Sequence, residues 1–198
     1  MAGDHDDDLA PEHTPGFKVG EKKTIDEYQN LDANDESLRK WKESLGIGAD
    51  TISDPSDPRL CIIKSLGLEV EGRPDIIIDL KDAAAIENLK KNPFKIKEGA
   101  VFRMKVTFQV QHQILAGLKY VQKVSKLGLS HKDQEMIGSY SPNTKEKPVY
   151  EKKFEAQTAP SGMMARGTYK AVSKFLDDDK KEYLSFDWSF DVVKDWPS

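Results

Sequence analysis

The chain has 198 residues, with 34 acidic and 30 basic side chains and a formal net charge of −4. At 37% hydrophobic and 32% charged, it is read as a soluble chain with room for one domain plus an appendage, or for two small domains. Acids and bases are interspersed without a basic stripe, which argues against a nucleic-acid binder. The single cysteine, Cys61, excludes an internal disulfide and a cysteine-only metal cage, and it fits a reducing compartment.

Residues 1–23 are acidic, then rich in Pro, Gly and Lys, and are expected to be disordered. Met1 to Asp8 has no apolar core of the kind a secretory signal needs. Thr24-Ile25-Asp26-Glu27 fits a capping box, in which hydroxyl and carboxylate each satisfy an orphan amide. It predicts a helix near residues 25–31, with Ile25, Tyr28 and Leu31 on one face. A second start at Asn34-Asp35 predicts a helix near residues 36–45. Its thin apolar stripe is Leu38, Trp41 and Leu45, and Gly46 is a natural stop. Helices this short are not stable alone in water. Their apolar faces need a partner, either the body of this chain or another protein.

From Thr51 to Pro58, two Asp-Pro pairs and Ser read as a linker. The pattern then turns extended. Strands are expected at Leu60–Val70, at Ile76-Ile77-Ile78 and, most clearly, at Phe102–Val110, where apolar and polar residues alternate. A helical turn fits Asp82–Asn88. Ile114–Val124 is a further strand, with Gly117 at a bend or bulge. Met136–Tyr140 ends at the turn Ser141-Pro142-Asn143, and Val149–Phe154 follows. Tyr169–Phe175 and Leu184–Val192 form a hairpin. Its link, Asp177-Asp178-Asp179-Lys180-Lys181, reads as a charged loop that cannot be buried. About eight strands over about 140 residues, with turns at regular intervals, predict an all-β antiparallel sandwich. No apolar run reaches about 18 residues, so no spanning helix is expected.

Groups able to do chemistry are few. No Gly-x-Ser-x-Gly elbow, phosphate loop or calcium loop is present, and His5, His13, His112 and His131 lack metal-ligand spacing. Neither a metal nor a cofactor is expected, and a binding protein is favoured over an enzyme. The hairpin face places the large Phe186 and Trp188 near the small Ala171. That arrangement lines a cavity as readily as it packs a core. A binding module with a cavity between its layers and a solid-cored adhesion or scaffold module both remain open on these residues.

Several stretches in register resemble the Rho GDP-dissociation inhibitor family. They are Asp35-Glu36-Ser37-Leu38-Arg39-Lys40-Trp41-Lys42-Glu43, Phe94-Lys95-Ile96-Lys97-Glu98-Gly99, Gly117-Leu118-Lys119-Tyr120-Val121-Gln122, Gly138-Ser139-Tyr140, Gly162-Met163-Met164-Ala165-Arg166-Gly167-Thr168-Tyr169, Phe175-Leu176-Asp177-Asp178-Asp179-Lys180 and Lys194-Asp195-Trp196. The resemblance runs from about Lys22 to Trp196. It implies a flexible, partly helical regulatory arm over residues 1–57 and an immunoglobulin-like prenyl-binding domain over residues 58–198. It also implies prenylated Rho-family small GTPases as partners. The geranylgeranyl group would lie between the sheets, the arm would block GDP release, and the complex would be a cytoplasmic one of a monomeric inhibitor. Membrane contact would be indirect and transient. On this resemblance the prenyl pocket would be lined by Leu68, Phe94, Phe102, Ile114, Tyr140, Met164, Ala171, Phe186 and Trp188. The GTPase would meet Asp35, Leu38, Trp41, Leu45, Asp177, Asp178 and Asp179, with Asp133 or Glu155 helping to draw in its basic tail. Some positions depart from the family pattern. Phe186 replaces a tryptophan and Ala171 a larger aliphatic, so the pocket is expected to be wider there; Gln157-Thr158 replaces an acidic pair.

Overall fold

The structure, a computed structural model, describes residues 35–37, 40, 51–81 and 83–197. Among these, β1 is Cys61–Val70, β2 Ile76–Asp79, α1 Ala83–Lys91, β3 Phe94–Lys97, β4 Val101–Val110, β5 Leu115–Lys126, β6 Leu129–Tyr140, β7 Tyr150–Thr158, β8 Gly167–Leu176 and β9 Glu182–Val193. One sheet has the order β2-β1-β4-β7 and the other β3-β9-β8-β5-β6. Neighbours are antiparallel, except that β3 runs parallel to β9 with Phe94 opposite Phe190. The expected all-β sandwich is what the chain forms.

Period two explains the strands that make its centre. Along β4, Met104, Val106, Phe108 and Val110 point inward and are buried, while Thr107 and Gln109 between them are only half-buried. On β9, Phe186 and Trp188 are buried and Ser185 and Asp187 are exposed. The inward faces of both sheets merge in one apolar core that includes Leu66, Leu68, Val106, Phe108, Leu115, Leu118, Tyr120, Phe175 and Trp188. The strand β5 is covered on both faces from Leu118 to Gln122, as befits a central strand. Gly117 does mark a bulge: the β5–β6 register shifts between Leu115 and Leu118, and Gly117 has a φ of 62°. A Cβ there would collide with the Asp178 carboxylate, so glycine is required both for conformation and for space.

Five expectations change. A ninth strand, β3, is added along β9. The strand β6 begins at Leu129 rather than Met136, β7 runs on to Thr158, and the helical turn is the full helix α1. That helix lies along β9, with a Lys90–Asp187 ion pair at 3.2 Å. The segment expected as a linker is tied to the sandwich. Ile52 N–H donates to the Asn143 carbonyl at 2.8 Å, Asp54 N–H to Gln111 Oε1 at 3.0 Å, and His112 N–H to Ser53 Oγ at 3.0 Å. Most of the expected arm, with Leu38, Trp41 and Leu45, lies outside the described residues. Within it, Asp35 Oδ1 accepts from Ser37 N–H at 2.8 Å ahead of helical Glu36, Ser37 and Lys40, as a helix N-cap does.

Candidate functional site

An aromatic ladder climbs one end of the sandwich. It is the end where β7 hands over to β8, so both sheets terminate there. Trp188 is buried, and Phe94 on the edge strand β3 stacks on it with centroids 5.3 Å apart. Phe190 lies 5.9 Å from Phe94, and Tyr169 stacks on Phe190 at 5.1 Å with the rings 5° from parallel. Phe94, Phe190, Tyr169 and Phe102 are each only half-buried. Aromatic rings left partly wet at the edge of an otherwise buried core give the interior an apolar approach at this end.

Deeper in, the ladder meets polar groups. Ala171 stands directly opposite Trp188, and Ser173 opposite Phe186. The Trp188 Nε1–H donates to Ser173 Oγ at 2.9 Å, and Ser173 Oγ also pairs with Tyr120 Oη at 2.8 Å. Burial pushes the Tyr120 phenol well above its ordinary value, so it stays a neutral hydroxyl. Beside Ser173, in register with Asp133, is Gln122, only 5% exposed. Among the described residues, Gln122 Nε2 is the one buried side-chain polar atom without a hydrogen-bond partner. Neither Ser173 nor Gln122 was singled out from sequence. Both sit at inward positions of an alternating strand, and that was the available signal.

The predicted lining residues therefore divide. Leu68, Ala171, Phe186 and Trp188 are buried in the common core, with Phe94 and Phe102 against its edge. Tyr140 packs instead at the other end, edge-on to Phe108 at 4.8 Å, and its hydroxyl donates to the Ile137 carbonyl at 3.0 Å. From Phe102 to Phe108 is six residues of strand, about 20 Å. Ile114 is half-buried just before β5 and lies outside the core cluster. Met164 does not line the interior at all: it is 84% exposed. Its loop is held away from the interior by Lys126, whose Nζ donates to the carbonyls of Met164, Ala165 and Arg166.

The acidic loop also differs from expectation. Asp177 is buried, not solvated. Its Oδ1 accepts the amides of Asp179 and Lys181, both at 2.9 Å, and its Oδ2 accepts the Tyr183 hydroxyl at 2.7 Å. A carboxylate that satisfies loop amides can be buried because those donors replace water. Burial, then the hydrogen bond to Asp177, pushes the Tyr183 phenol far up, keeping it a donor. Asp178 pairs with Lys119 at 2.7 Å, with both side chains largely covered, beside Gly117. Asp179 alone of the three is exposed. A second acidic row follows the cleft between the sheet edges β6 and β7. Asp133, Glu135 and Glu155 lie there, and Glu155 N–H donates to Glu135 Oε1 at 3.4 Å.

Burial pushes the Cys61 thiol up to about 12, with the Asp177 charge adding to the effect, so it is no ready nucleophile.

Comparison with known proteins reads the same way. The sequence profile of the RHO protein GDP dissociation inhibitor family matches residues 2–195. The chain belongs to that family. It is 47% identical to the Rho GDP-dissociation inhibitor of Saccharomyces cerevisiae over 182 residues, covering 90% of each chain. Identity to the Schizosaccharomyces pombe Rho GDP-dissociation inhibitor is also 47%, over 93% of this chain and 89% of the other. To Homo sapiens Rho GDP-dissociation inhibitor 1 it is 38%, over 99% and 93%.

Proposed function

We propose that this chain is a GDP-dissociation inhibitor for Rho-family GTPases that takes the geranylgeranyl tail between its two sheets. The reading is carried by family membership over nearly the whole chain. The wet-edged ladder from Tyr169 through Phe190 and Phe94 to Trp188 supports it, because an isoprenoid chain can follow apolar rings into the space beside the small Ala171. Residues 1–57 act as the regulatory arm and residues 58–198 as the lipid-binding domain. In the arm, Asp35 both caps its helix and faces the GTPase, while Leu38, Trp41 and Leu45 supply apolar contact. The complex is cytoplasmic and the inhibitor monomeric.

The burial of Asp177 and the pairing of Asp178 with Lys119 change the electrostatic half of the proposal. Their carboxylates are committed to the loop and to Lys119, so Asp133, Glu135 and Glu155, with Asp179, are the acids that meet a basic tail. Such contacts are solvent-exposed and weaken in salt.

Leaving water is worth about 0.8 kcal/mol per carbon to the lipid, on the order of 10–16 kcal/mol for a geranylgeranyl group. A bilayer offers nearly as much, so the bias toward the complex comes from protein contacts. The experiment incubates the protein with vesicles bearing prenylated Rho-family GTPases. Deleting residues 1–50 is expected to abolish inhibition of nucleotide release while leaving lipid uptake. Trp188→Asp is expected to abolish extraction, and unchanged extraction by that variant would refute the lining assigned here.

A further inference from the structure

The end of the sandwich that carries the ladder also carries a cluster of exposed apolar side chains. Leu127, in the turn joining β5 to β6, and Leu129, the first residue of β6, are 86% and 80% exposed. Met163 and Met164, in the loop joining β7 to β8, are 82% and 84% exposed. The two segments touch through Lys126 Nζ, which donates to three carbonyls of the methionine loop. Four large apolar side chains this exposed and this close together are unusual on a water-facing surface.

The β5–β6 turn makes the point sharper. Lys126 pairs with Leu129, leaving Leu127-Gly128 as a two-residue hairpin turn. Both have positive φ, 49° and 83°. Asn-Gly is the usual choice for such a turn, since a bulky residue is strained in the left-handed region. Here a leucine occupies the strained position and still presents its side chain to solvent. Neither local conformation nor packing explains that choice.

Charge identifies the occupant. Residues 123–132 and 160–170 contain Lys123, Lys126, Lys132, Arg166 and Lys170, with His131 and no Asp or Glu, in a chain whose net charge is −4. Acids do lie at the margin. Glu98 pairs with Arg166 at 2.6 Å, Asp133 with His131 at 3.0 Å, and Asp191 accepts from the Thr168 hydroxyl at 2.6 Å. The methionine loop is braced as well. Besides Lys126, Glu98 accepts the Gly162 amide at 2.9 Å, and the Tyr169 hydroxyl donates to the Ala165 carbonyl at 2.8 Å.

The geometry points to a preformed membrane-docking tip: Leu127, Leu129, Met163 and Met164 enter the interface of a bilayer whose anionic headgroups are met by the flanking Lys123, Lys132 and Lys170. Apolar insertion combined with basic flanks is the pattern of reversible peripheral binding. The tip adjoins the ladder, so it would bring the mouth of the slot to the lipid it is to receive. That role rests on the proposed function; the docking itself does not.

The test uses the full chain, without any GTPase, in flotation with phosphatidylcholine vesicles and with vesicles containing about 30% phosphatidylserine. Binding is expected to be weak and to rise at least about fivefold with the anionic lipid. Leu127→Asn with Leu129→Thr, Met163→Ser and Met164→Ser should lower it at least about tenfold, and Lys123→Glu with Lys132→Glu should remove the preference for phosphatidylserine. Two controls accompany it: the thermal midpoint, and uptake of a fluorescent geranylgeranyl-cysteine methyl ester in the absence of vesicles, both unchanged in the four-residue variant. Equal flotation of that variant and the natural chain, or no flotation with anionic vesicles, overturns the tip. Loss of lipid-probe uptake by the natural chain with flotation intact overturns the slot and leaves the tip standing.

Discussion

Ala171→Phe separates an open slot from a filled core. The side chain of Ala171 is 1% exposed, with Trp188 opposite it on β9 and Val124 opposite on β5. In a close-packed interior, adding a phenyl ring forces neighbours off their rotamers and costs about 1–3 kcal/mol or more. If the sheets can part here to admit an isoprenoid, the ring takes the space the lipid would use, and stability falls by less than about 1 kcal/mol. The ring displaces about six lipid carbons. At about 0.8 kcal/mol each that is about 5 kcal/mol, or between 10³- and 10⁴-fold weaker binding. Urea unfolding measures the first quantity and titration with a fluorescent geranylgeranyl-cysteine methyl ester the second. A folded variant that takes up the lipid probe as well as the natural chain would refute the placement of the slot. A loss above about 3 kcal/mol, in a chain that takes up no lipid probe even before substitution, would mean the layers are simply a solid core.

Two further outcomes are expected. Asp177→Ala removes the acceptor of two loop amides and the Tyr183 hydroxyl, and should lower stability by about 2–4 kcal/mol in urea melts; Asp177→Asn keeps an oxygen for the amides and should lose less than half of that. The Arg166 guanidinium and then the Gly162 amide hold the Glu98 carboxyl below its ordinary value, so their contribution is fully present above the usual glutamate range and is lost as pH falls through the depressed one. Hydrogen exchange at the Gly162 amide should therefore lose its protection in acid, and protection that persists after Glu98→Ala at neutral pH would disprove the link.

How far the residues spoke for themselves depended on what each structural feature rests on. Strands β4 and β9 were readable because one face of each is buried, which imposes strict alternation over many residues. Gly117 was readable as a bulge because a lone glycine in a strand pattern has few other uses. The short β3 was not: four residues carry little periodicity, and its pairing with β9 spans nearly a hundred positions. Nor was the first half of β6, whose residues from Leu129 to Lys132 are all exposed on an edge strand. The buried Asp177 was misread because composition treats three aspartates as solvated charge. Its actual role depends on amides two and four residues onward turning back to it. Met164 was misplaced for a related reason: its loop is positioned by a lysine some forty residues earlier in the chain.

The anchoring of Ile52 to Asn143 has a geometric corollary. Thr51 bridges to Thr144, and Asn143 Oδ1 accepts from the Val110 amide at 2.7 Å, so this tether is fastened at the pole where β4 finishes. The aromatic ladder lies at the pole where β4 starts, ten residues or about 30 Å away. Whatever precedes Thr51 thus sets out from the pole remote from the ladder. On the proposed function, a GTPase held at both poles would lie along the flank of the sandwich, with its tail at one pole and its switch surface toward the other. The spacing between those two points of purchase would then act as a ruler, and a cargo whose lipid sits at the wrong span from its switches would fit one grip only at the expense of the other.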